Sequence, residues 1–354
     1  MVIAALPLAL IQTLGGGALP LKSVECVKSD CTNSRGLIVI RTMKTRLKRV
    51  IKRVFFPAPS PTAIPKTEYE WSIGIYDGTS PFSFGPSKEA DNPVLTHHDV
   101  LDVPAAIVAD PFMLRRDHTW YMFFEVMNRQ TRKGEIGLAS SEDGVKWAYQ
   151  HIVLAEPFHL SYPYVFHWAD DYYLIPESYK ASSIRLYKAL NFPTQWLFVT
   201  TLISGRAFSD SSIFFYNDKW WIFTETNPNF KWDTLRLYYA NDLIGPWFEH
   251  PQSPIIEGDA RSARPGGRVL VLKNRIIRYA QDCYPFYGTQ VRAFEIMELT
   301  PTSYSEREVS DSPVLTASGA GWNESGMHHI DPHFIDDGQW IACVDGRLTR
   351  EVHA

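Results

Sequence analysis

The sequence predicts an all-β fold, and more specifically a five-bladed β-propeller. The main observation is a repeated spacing: an acidic or tyrosine residue, an aromatic pair ten positions later, and a glutamate five positions after that. Three copies begin at Asp110, Tyr162 and Asp210, and two degenerate copies begin at Arg264 and Asp331. The starts lie 52, 48, 54 and 67 residues apart. Periods of this size are typical of propeller blades rather than of helical solenoids.

The composition agrees with this prediction. A chain of 354 residues with 45% apolar and 14% aromatic content can bury a large core, and the repeat favours one domain over two. Twenty-four prolines and 21 glycines separate short apolar runs, as expected for many strands and turns. The formal net charge of -4 gives no indication of a nucleic-acid partner. The aromatic content suits carbohydrate stacking as well as core packing.

The N-terminal region has a different character. We expect residues 1–67 to be a poorly ordered extension and residues 68–354 to form the propeller. Residues 2–21 have neither the basic flank of a signal peptide nor an uninterrupted membrane span, and whether residues 1–42 belong to the natural product stays open. Residues 44–56 are basic and apolar, a pattern of peripheral membrane contact or of a solvated tail. We predict that the protein is cytoplasmic, with peripheral association with a membrane as the alternative.

Each blade is predicted to contain three or four strands. The innermost strand follows the first residue of each copy, and the second contains the aromatic pair. The run Trp220–Phe223 is apolar throughout, as expected for a sheet packed between two neighbours. A third strand alternates arginine or small residues with aromatics, and an outer strand follows. The segment Trp71–Tyr76 precedes the first copy, so we expect it to supply the outer strand of the fifth blade and close the ring.

Equivalent positions at the starts of innermost strands converge on a central funnel. The converging set is predicted to be Asp110, Tyr162, Asp210, Arg264 and Asp331. Carboxylates gathered there repel each other, which separates their pKa values and allows one to stay ionised while another keeps its proton. The alternative is local, because an aspartate before proline or serine can cap a turn through its own backbone.

The glutamates that end the second strands have two interpretations. Repetition in Glu125, Glu177 and Glu225 favours a scaffold role, with Arg185 or Arg236 as partners. The end of this strand can also reach a pocket, so Glu225 is included among the candidate ligand-binding residues.

Two basic groups complete the candidate site. Arg264 either pairs with a funnel carboxylate or binds an anion such as phosphate. His329, Asp331 and His333 are spaced so that one face of a strand would present all three side chains. Such a cluster suits an anion or a divalent metal near His329 and His333. Histidines satisfied within the core are the alternative, and no cofactor is firmly predicted.

The motifs Ala109-Asp110-Pro111-Phe112 and Ser209-Asp210-Ser211-Ser212 resemble those of the five-bladed propellers of glycoside hydrolase family 43 and its arabinanase, invertase and levansucrase relatives. The resemblance covers roughly residues 90–345. It implies that Asp110 is the general base that activates water and that Asp210 orients the general acid and tunes its pKa. The acid itself is a glutamate in that family, whereas this sequence has Arg264-Pro265-Gly266-Gly267. A guanidinium cannot supply a proton at neutral pH.

A closer resemblance is to the N-terminal propeller of plant glucosamine inositolphosphorylceramide transferases and its free-standing bacterial relatives. It lies in three phrases: residues 121–125 (YMFFE), residues 263–268 (ARPGGR) and residues 327–333 (MHHIDPH). In the plant proteins glycosyl transfer is attributed to a separate C-terminal domain. The resemblance therefore implies a propeller linked to carbohydrate chemistry and does not by itself imply transferase activity.

The sequence leaves three functions open. The first is a carbohydrate-active or carbohydrate-binding propeller that acts on a cell-surface glycan or glycolipid head group through a glycosidase-like site without the usual acid. The second is a non-catalytic glycan-binding or scaffold module. The third is an inverting glycoside phosphorylase, in which phosphate is the attacking group.

Overall fold

A computed structural model describes residues 66–352 except positions 274 and 337. The predicted extension, including the basic segment and the proline-rich linker, lies outside the described residues as far as position 65. Among the described residues no helix has the length and apolarity needed to cross a bilayer.

Within this range the chain forms five antiparallel sheets, which are the five blades. Blade one contains β3 (Ala105–Arg116), β4 (Thr119–Asn128), β5 (Lys133–Ser141) and β6 (Ala148–Leu154). Blade two contains β7 (Ser161–Trp168), β8 (Asp171–Glu177), β9 (Ser183–Asn191) and β10 (Gln195–Ser204). Blade three contains β11 (Ser209–Tyr216), β12 (Lys219–Glu225), β13 (Thr234–Ala240), β14 (Phe248–Glu249) and β15 (Ile256–Glu257).

Blade four contains β16 (Arg264–Pro265), β17 (Leu270–Leu272), β18 (Arg275–Asp282), β19 (Gln290–Leu299), β20 (Tyr304–Glu308) and β21 (Leu315–Thr316). Blade five contains β1 (Lys66–Ser80), β2 (Ser83–Pro86), β22 (Ile330–Phe334) and β23 (Trp340–Val352). Two 3-10 turns cover Tyr179–Ala181 and Gly321–Asn323. The predicted all-β, five-bladed propeller is confirmed.

The innermost strands form a closed ring. Strands β22, β3, β7, β11 and β16 contact one another in that order, and a parallel bridge between Gly267 and Ile330 joins blade four to blade five. The two ends of the described chain meet in the fifth blade, where β1 pairs with β23 from Lys66 to Gly78. The predicted segment Trp71–Tyr76 is therefore in that blade. It forms the third strand rather than the outer one, because the chain turns back after Ser80 and adds β2 at the edge.

The repeated spacing corresponds to a repeated β-bulge. In blade one Ala109 is opposite Glu125 and Phe112 is opposite Phe123, so two residues of β3 face one residue of β4. Blades two and three repeat this register shift at Tyr162 and Asp210. The first bulge residue has a positive φ in all three blades, 53° at Asp110, 44° at Tyr162 and 49° at Asp210. A bulge bends its strand and redirects one side chain, which is how each blade presents this residue to the centre.

The other two blades reach the centre differently. In blade five Ile330, Asp331 and His333 pair without a register shift. In blade four the innermost strand is interrupted between β16 and β17, where Gly267 has a φ of 142°. A Cβ there would lie 1.7 Å from the carbonyl oxygen of Ile330, so only glycine permits the closing bridge.

The core lies between adjacent blades. The second strands are almost entirely buried, and Trp220 and Trp221 are 4% and 1% exposed. The predicted apolar runs thus pack on both faces of their sheets, and this packing holds the funnel residues in place.

Candidate functional site

The funnel is at the end of the propeller where the innermost strands begin. Second strands end at the same face, since Glu177 pairs with Ser161 and Glu225 pairs with Ser209. The loops that follow these strands place aromatic side chains at the funnel end, namely Tyr179, Phe230, Trp232 and Tyr287. Their rings form two edge or tilted contacts, Tyr179 with Phe230 at 5.6 Å and Trp232 with Tyr287 at 5.1 Å. Aromatic faces of this kind can stack on a sugar ring.

Asp110 lies in the funnel, and its Oδ1 atom has no hydrogen-bond partner. Its backbone N–H donates to Asp345 Oδ2 at 3.0 Å, while its Oδ1 atom is 3.8 Å from His328 Nε2 and 3.9 Å from His329 Nδ1. The residue is 4% exposed, and this burial raises the pKa of the Asp110 carboxyl to about 7. His328 opposes that rise, and the carboxylate of Asp210 adds to it. A carboxyl with this pKa suits a general base at neutral pH.

Asp345 and His328 hold Asp110 in position. Asp345 Oδ1 accepts hydrogen bonds from His328 Nδ1 at 2.7 Å and from the backbone N–H groups of His328 at 3.2 Å and His329 at 3.1 Å. The His328 ring stacks on Trp71 at 4.0 Å. Burial lowers the pKa of His328, but Asp345 and Asp110 outweigh burial and raise it above its usual value. Burial likewise acts to raise the pKa of Asp345, and His328 with the donated hydrogen bonds holds it below its usual value.

Arg264 faces the funnel and forms an ion pair there. Its Nε donates to Asp210 Oδ2 at 2.5 Å, and Gln281 Nε2 donates to the same oxygen at 2.5 Å. The guanidinium also lies 5.1 Å from the ring centre of Tyr287. Of the two interpretations from the sequence, the geometry matches the ion pair, since Asp210 already neutralises this guanidinium. The second oxygen of Asp210 remains without a hydrogen-bond partner.

Glu177 accepts a hydrogen bond from the backbone of Asp210, as Asp345 does from the backbone of Asp110. Its Oε2 accepts the backbone N–H of Asp210 at 3.0 Å, which ties blade two to blade three. The same oxygen is 3.7 Å from Arg264 Nη2, within ion-pair range. Burial and the charge of Asp210 raise the pKa of Glu177 well above its usual range, although Arg264 acts to lower it. Glu177 therefore joins blades two and three through a buried carboxyl whose pKa is raised.

The other two glutamates are also buried at strand ends. Burial raises the pKa of Glu225 to about 7 and that of Glu125 well above its usual range. Glu225 accepts the backbone N–H of Asn227 at 2.7 Å, a local turn contact. The suggested arginine partners are wrong: Arg185 lies over the ring of Phe198 at 4.1 Å, and Arg236 bonds Thr226 and Glu249.

Tyr162 reaches the centre, but its hydroxyl is engaged by the scaffold. The hydroxyl forms hydrogen bonds with Ser212 Oγ at 2.8 Å and with the carbonyl of Gly267 at 3.0 Å, and it accepts the Gly267 N–H at 2.7 Å. It thus connects blade two to blades three and four. The predicted role of Tyr162 in ligand binding is limited to its buried ring.

The expected grouping of Asp331 and His333 with the funnel is wrong. Because the fifth copy lacks the bulge, Asp331 is opposite Cys343 and so takes the register position of Phe112, deeper in the channel. There it forms an ion pair with Arg268 at 2.6 Å and contacts His333 Nε2 at 2.9 Å. Burial acts to raise the pKa of Asp331, and Arg268 outweighs burial and lowers it.

His329 is separated from that pair and stays near Asp110. It is fully buried between the rings of Phe112 at 4.6 Å and Tyr162 at 5.3 Å, and burial lowers its pKa to about 4. His329 and His333 therefore contact different carboxylates. Among the described residues, the group whose ligand atoms lie close enough for a metal is Asp110, His328 and Asp345. The hydrogen bonds that Asp345 accepts already account for both of its oxygens.

The funnel concentrates unpartnered polar atoms. Seven buried side-chain polar atoms of the described residues have no hydrogen-bond partner. Five belong to the funnel: Asp110 Oδ1, Asp210 Oδ1, Gln281 Oε1 and both ring nitrogens of His329. Buried polar groups are normally hydrogen-bonded, so this concentration makes the funnel a candidate ligand site.

Several of these residues were not among the predicted site residues. Asp345 occupies the glutamate position of the fifth copy, and His328 adjoins the predicted His329, so both had a sequence signal. Gln281 pairs with Arg264 as Glu225 pairs with Ser209, and Arg268 ends the phrase at residues 263–268. Their contacts with Asp210 and Asp331 had no sequence signal, because these partners lie on distant strands of other blades.

The fold and the site together define a five-bladed propeller with a buried acidic pair and a paired arginine in its funnel. Solved structures share the fold: the catalytic domain of a family 62 α-L-arabinofuranosidase of Coprinopsis cinerea has a TM-score of 0.51 and 10% identity, covering 78% of this chain and 97% of that one. A glycosyl hydrolase of Bacteroides ovatus has a TM-score of 0.54 and 12% identity, covering 78% and 96%.

The chain belongs to the family described as "Glucosamine inositolphosphorylceramide transferase 1, N-terminal", whose model matches residues 64–347. Curated relatives are Glucosamine inositolphosphorylceramide transferase 1 of Oryza sativa subsp. japonica, 35% identical over 303 residues, and that of Arabidopsis thaliana, 33% identical over 303 residues. The match covers 80% of this chain and 41% of the rice protein or 40% of the Arabidopsis protein. The chain thus spans less than half the length of these relatives.

Proposed function

We propose that this propeller recognises a sugar residue of a cell-surface glycan or glycolipid head group in its funnel. The observation that carries the proposal is the set of unpartnered polar atoms on Asp110, Asp210, Gln281 and His329. Sugar hydroxyls both donate and accept hydrogen bonds, so they match carboxylate, amide and neutral imidazole atoms. The aromatic loop residues at the funnel end supply stacking faces. The names of the relatives, which specify glucosamine and inositolphosphorylceramide, make a glycolipid the first class of ligand to test.

The chemistry of the site supports recognition more strongly than hydrolysis. Asp110 has the raised pKa that suits a base, while the resemblance to family 43 glycosidases implies that Arg264 replaces their acid. The ion pair with Asp210 fixes that arginine and removes its charge from any ligand. It also argues against the phosphorylase, because phosphate would find this guanidinium already occupied.

Binding and turnover are tested separately. A glycan array with glycolipid head groups and neutral oligosaccharides measures recognition, and His329→Phe is a suitable variant because it removes two unpartnered nitrogens while keeping an aromatic ring. We expect selective binding by the native protein and loss of binding by the variant. Absence of binding to every glycan would refute the proposal.

Activated aryl glycosides measure residual chemistry, since a good leaving group needs no protonation. We expect at most slow turnover, abolished in Asp110→Asn and unaffected by added phosphate. Fast hydrolysis of unactivated glycosides would contradict the recognition role. A phosphate requirement would favour the phosphorylase instead.

A further inference from the structure

A cleft within the described residues lies at the end of the propeller opposite the funnel. It has a volume of about 760 Å³ and is lined by residues at the far ends of β3, β7 and β22 and in the turns after β3 and β22. Three arginines and two histidines contribute to its walls, with one aspartate. This volume falls within the range of small-molecule sites.

Two arginines at the rim are held by aromatic rings. The guanidinium of Arg115 lies 5.6 Å from the ring centre of Trp120, and that of Arg116 lies 5.7 Å from that of Tyr172. Among the described residues Arg115 forms no ion pair, and the carboxylate nearest Arg116 is that of Asp117, 3.8 Å away with 84% of its side chain exposed. Stacking positions a guanidinium without neutralising it, so both keep charge and donors for a ligand.

The floor of the cleft is formed by the ion pair of Arg268 and Asp331, whose charges neutralise each other. Arg268 donates to Asp331 and to the carbonyls of Met113 and Val165, which joins blades four, five, one and two at the floor of this cleft. His333 contacts Asp331 and lines the cleft as well. The free positive charge is therefore at the rim, and the cleft is separate from the funnel.

An adjoining cleft has the opposite charge. It measures about 650 Å³, shares Arg115 and Trp120 with the first, and is lined by Asp77, Glu89, Glu142 and Asp143. These acids repel an anion, so they restrict it to the basic side of the shared wall.

We propose that the basic cleft binds an anionic sugar, meaning a sugar ring that carries a phosphate or carboxylate group. The rim guanidiniums pair with the anion, since arginine matches the planar geometry of either group. Aromatic faces in the walls, including Phe166 and Phe334, lie against the ring. This site acts independently of the funnel and does not depend on the function proposed above.

Isothermal titration calorimetry of the full chain tests the proposal with four probes: a hexose 6-phosphate, a hexuronic acid, the parent neutral hexose and inorganic phosphate. We expect one or both anionic sugars to bind in a salt-sensitive manner, and the neutral hexose and free phosphate to bind at least about tenfold more weakly. The first two probes distinguish phosphate from carboxylate as the preferred group.

The variant Arg115→Gln/Arg116→Gln should weaken anionic-sugar binding by about tenfold or more, because both charged donors are removed. Both side chains are exposed, so the fold should be retained, and an unchanged circular-dichroism melting curve checks this. The matched control is Arg307→Gln, an arginine with 68% side-chain exposure outside the cleft, which should bind as the native protein does. Equal binding by native and double-variant proteins, binding of phosphate as tight as that of the hexose phosphate, or no binding of either anionic sugar would overturn the proposal.

Discussion

Replacing Asp345 by asparagine should destabilise the propeller far more than replacing Glu177 by glutamine at pH 7. The two acids occupy equivalent positions, and each accepts the backbone N–H of the first residue of the next blade, Asp110 or Asp210. The pKa values of the two acids are shifted in opposite directions. His328 holds the pKa of Asp345 below its usual value, while burial raises that of Glu177 well above its usual range.

The magnitude follows from the hydrogen bonds. Asp345 accepts four, from the backbone of Asp110, His328 and His329 and from the His328 ring. Asparagine can keep its oxygen toward the histidines, but its amide nitrogen then faces the Asp110 N–H, and the negative charge beside His328 is lost. Bonds to charged groups contribute roughly 1.5–3 kcal/mol each, and an unpaired buried partner adds to the loss, so we expect about 3–5 kcal/mol.

Glu177→Gln replaces a carboxyl with a raised pKa by a neutral amide that still offers an oxygen to the Asp210 N–H. The expected cost is below about 1 kcal/mol. Urea denaturation of the native protein and both variants, followed by tryptophan fluorescence, measures the free energies of unfolding. Similar losses for both variants, or a larger loss for Glu177→Gln, would refute the opposite pKa shifts of the two acids.

Three further predictions concern single residues of the funnel. Arg264→Gln should lower the free energy of unfolding by about 3–5 kcal/mol in the same urea assay, because it leaves the Asp210 carboxylate buried without its ion pair; no loss would mean that the pair is unimportant. Asp110→Asn should gain stability relative to the native protein between pH 4 and pH 8, by on the order of 4 kcal/mol, because a folded-state pKa of about 7 makes ionisation of Asp110 costly as the pH rises through this window; a pH-independent difference would contradict the raised pKa. Gly267→Ala should yield insoluble protein on expression, since the new Cβ meets the Ile330 carbonyl; a soluble variant with native melting would disprove this constraint.

The fold was predictable from the sequence because one structural device recurs. A bulge between residues 109 and 112 fixes the distance to the glutamate across the hairpin, so the same ten-and-five spacing appears in each bulged blade. The spacing is therefore a property of the blade scaffold. It correctly predicts that Asp110 and Asp210 lie at the centre of the propeller.

The same device explains the error at Asp331. Losing one residue removes the bulge, and the aspartate then moves from the funnel to the channel floor, a change that a match of the motif alone cannot show. The contacts of Arg268 with Asp331 and of Gln281 with Asp210 could not be predicted, because these partners lie 63 and 71 residues away in sequence and belong to other blades. Motif spacing contains no information about such long-range pairs.

The funnel is proposed to hold a sugar through its unpartnered buried atoms. The most direct measurement is a crystal structure of the protein with a glycan selected on the array. We expect sugar hydroxyls within hydrogen-bond distance of Asp110 Oδ1 and of a ring nitrogen of His329, with the Arg264–Asp210 pair intact. A glycan bound only elsewhere on the propeller, with those atoms still unpartnered, would contradict the account.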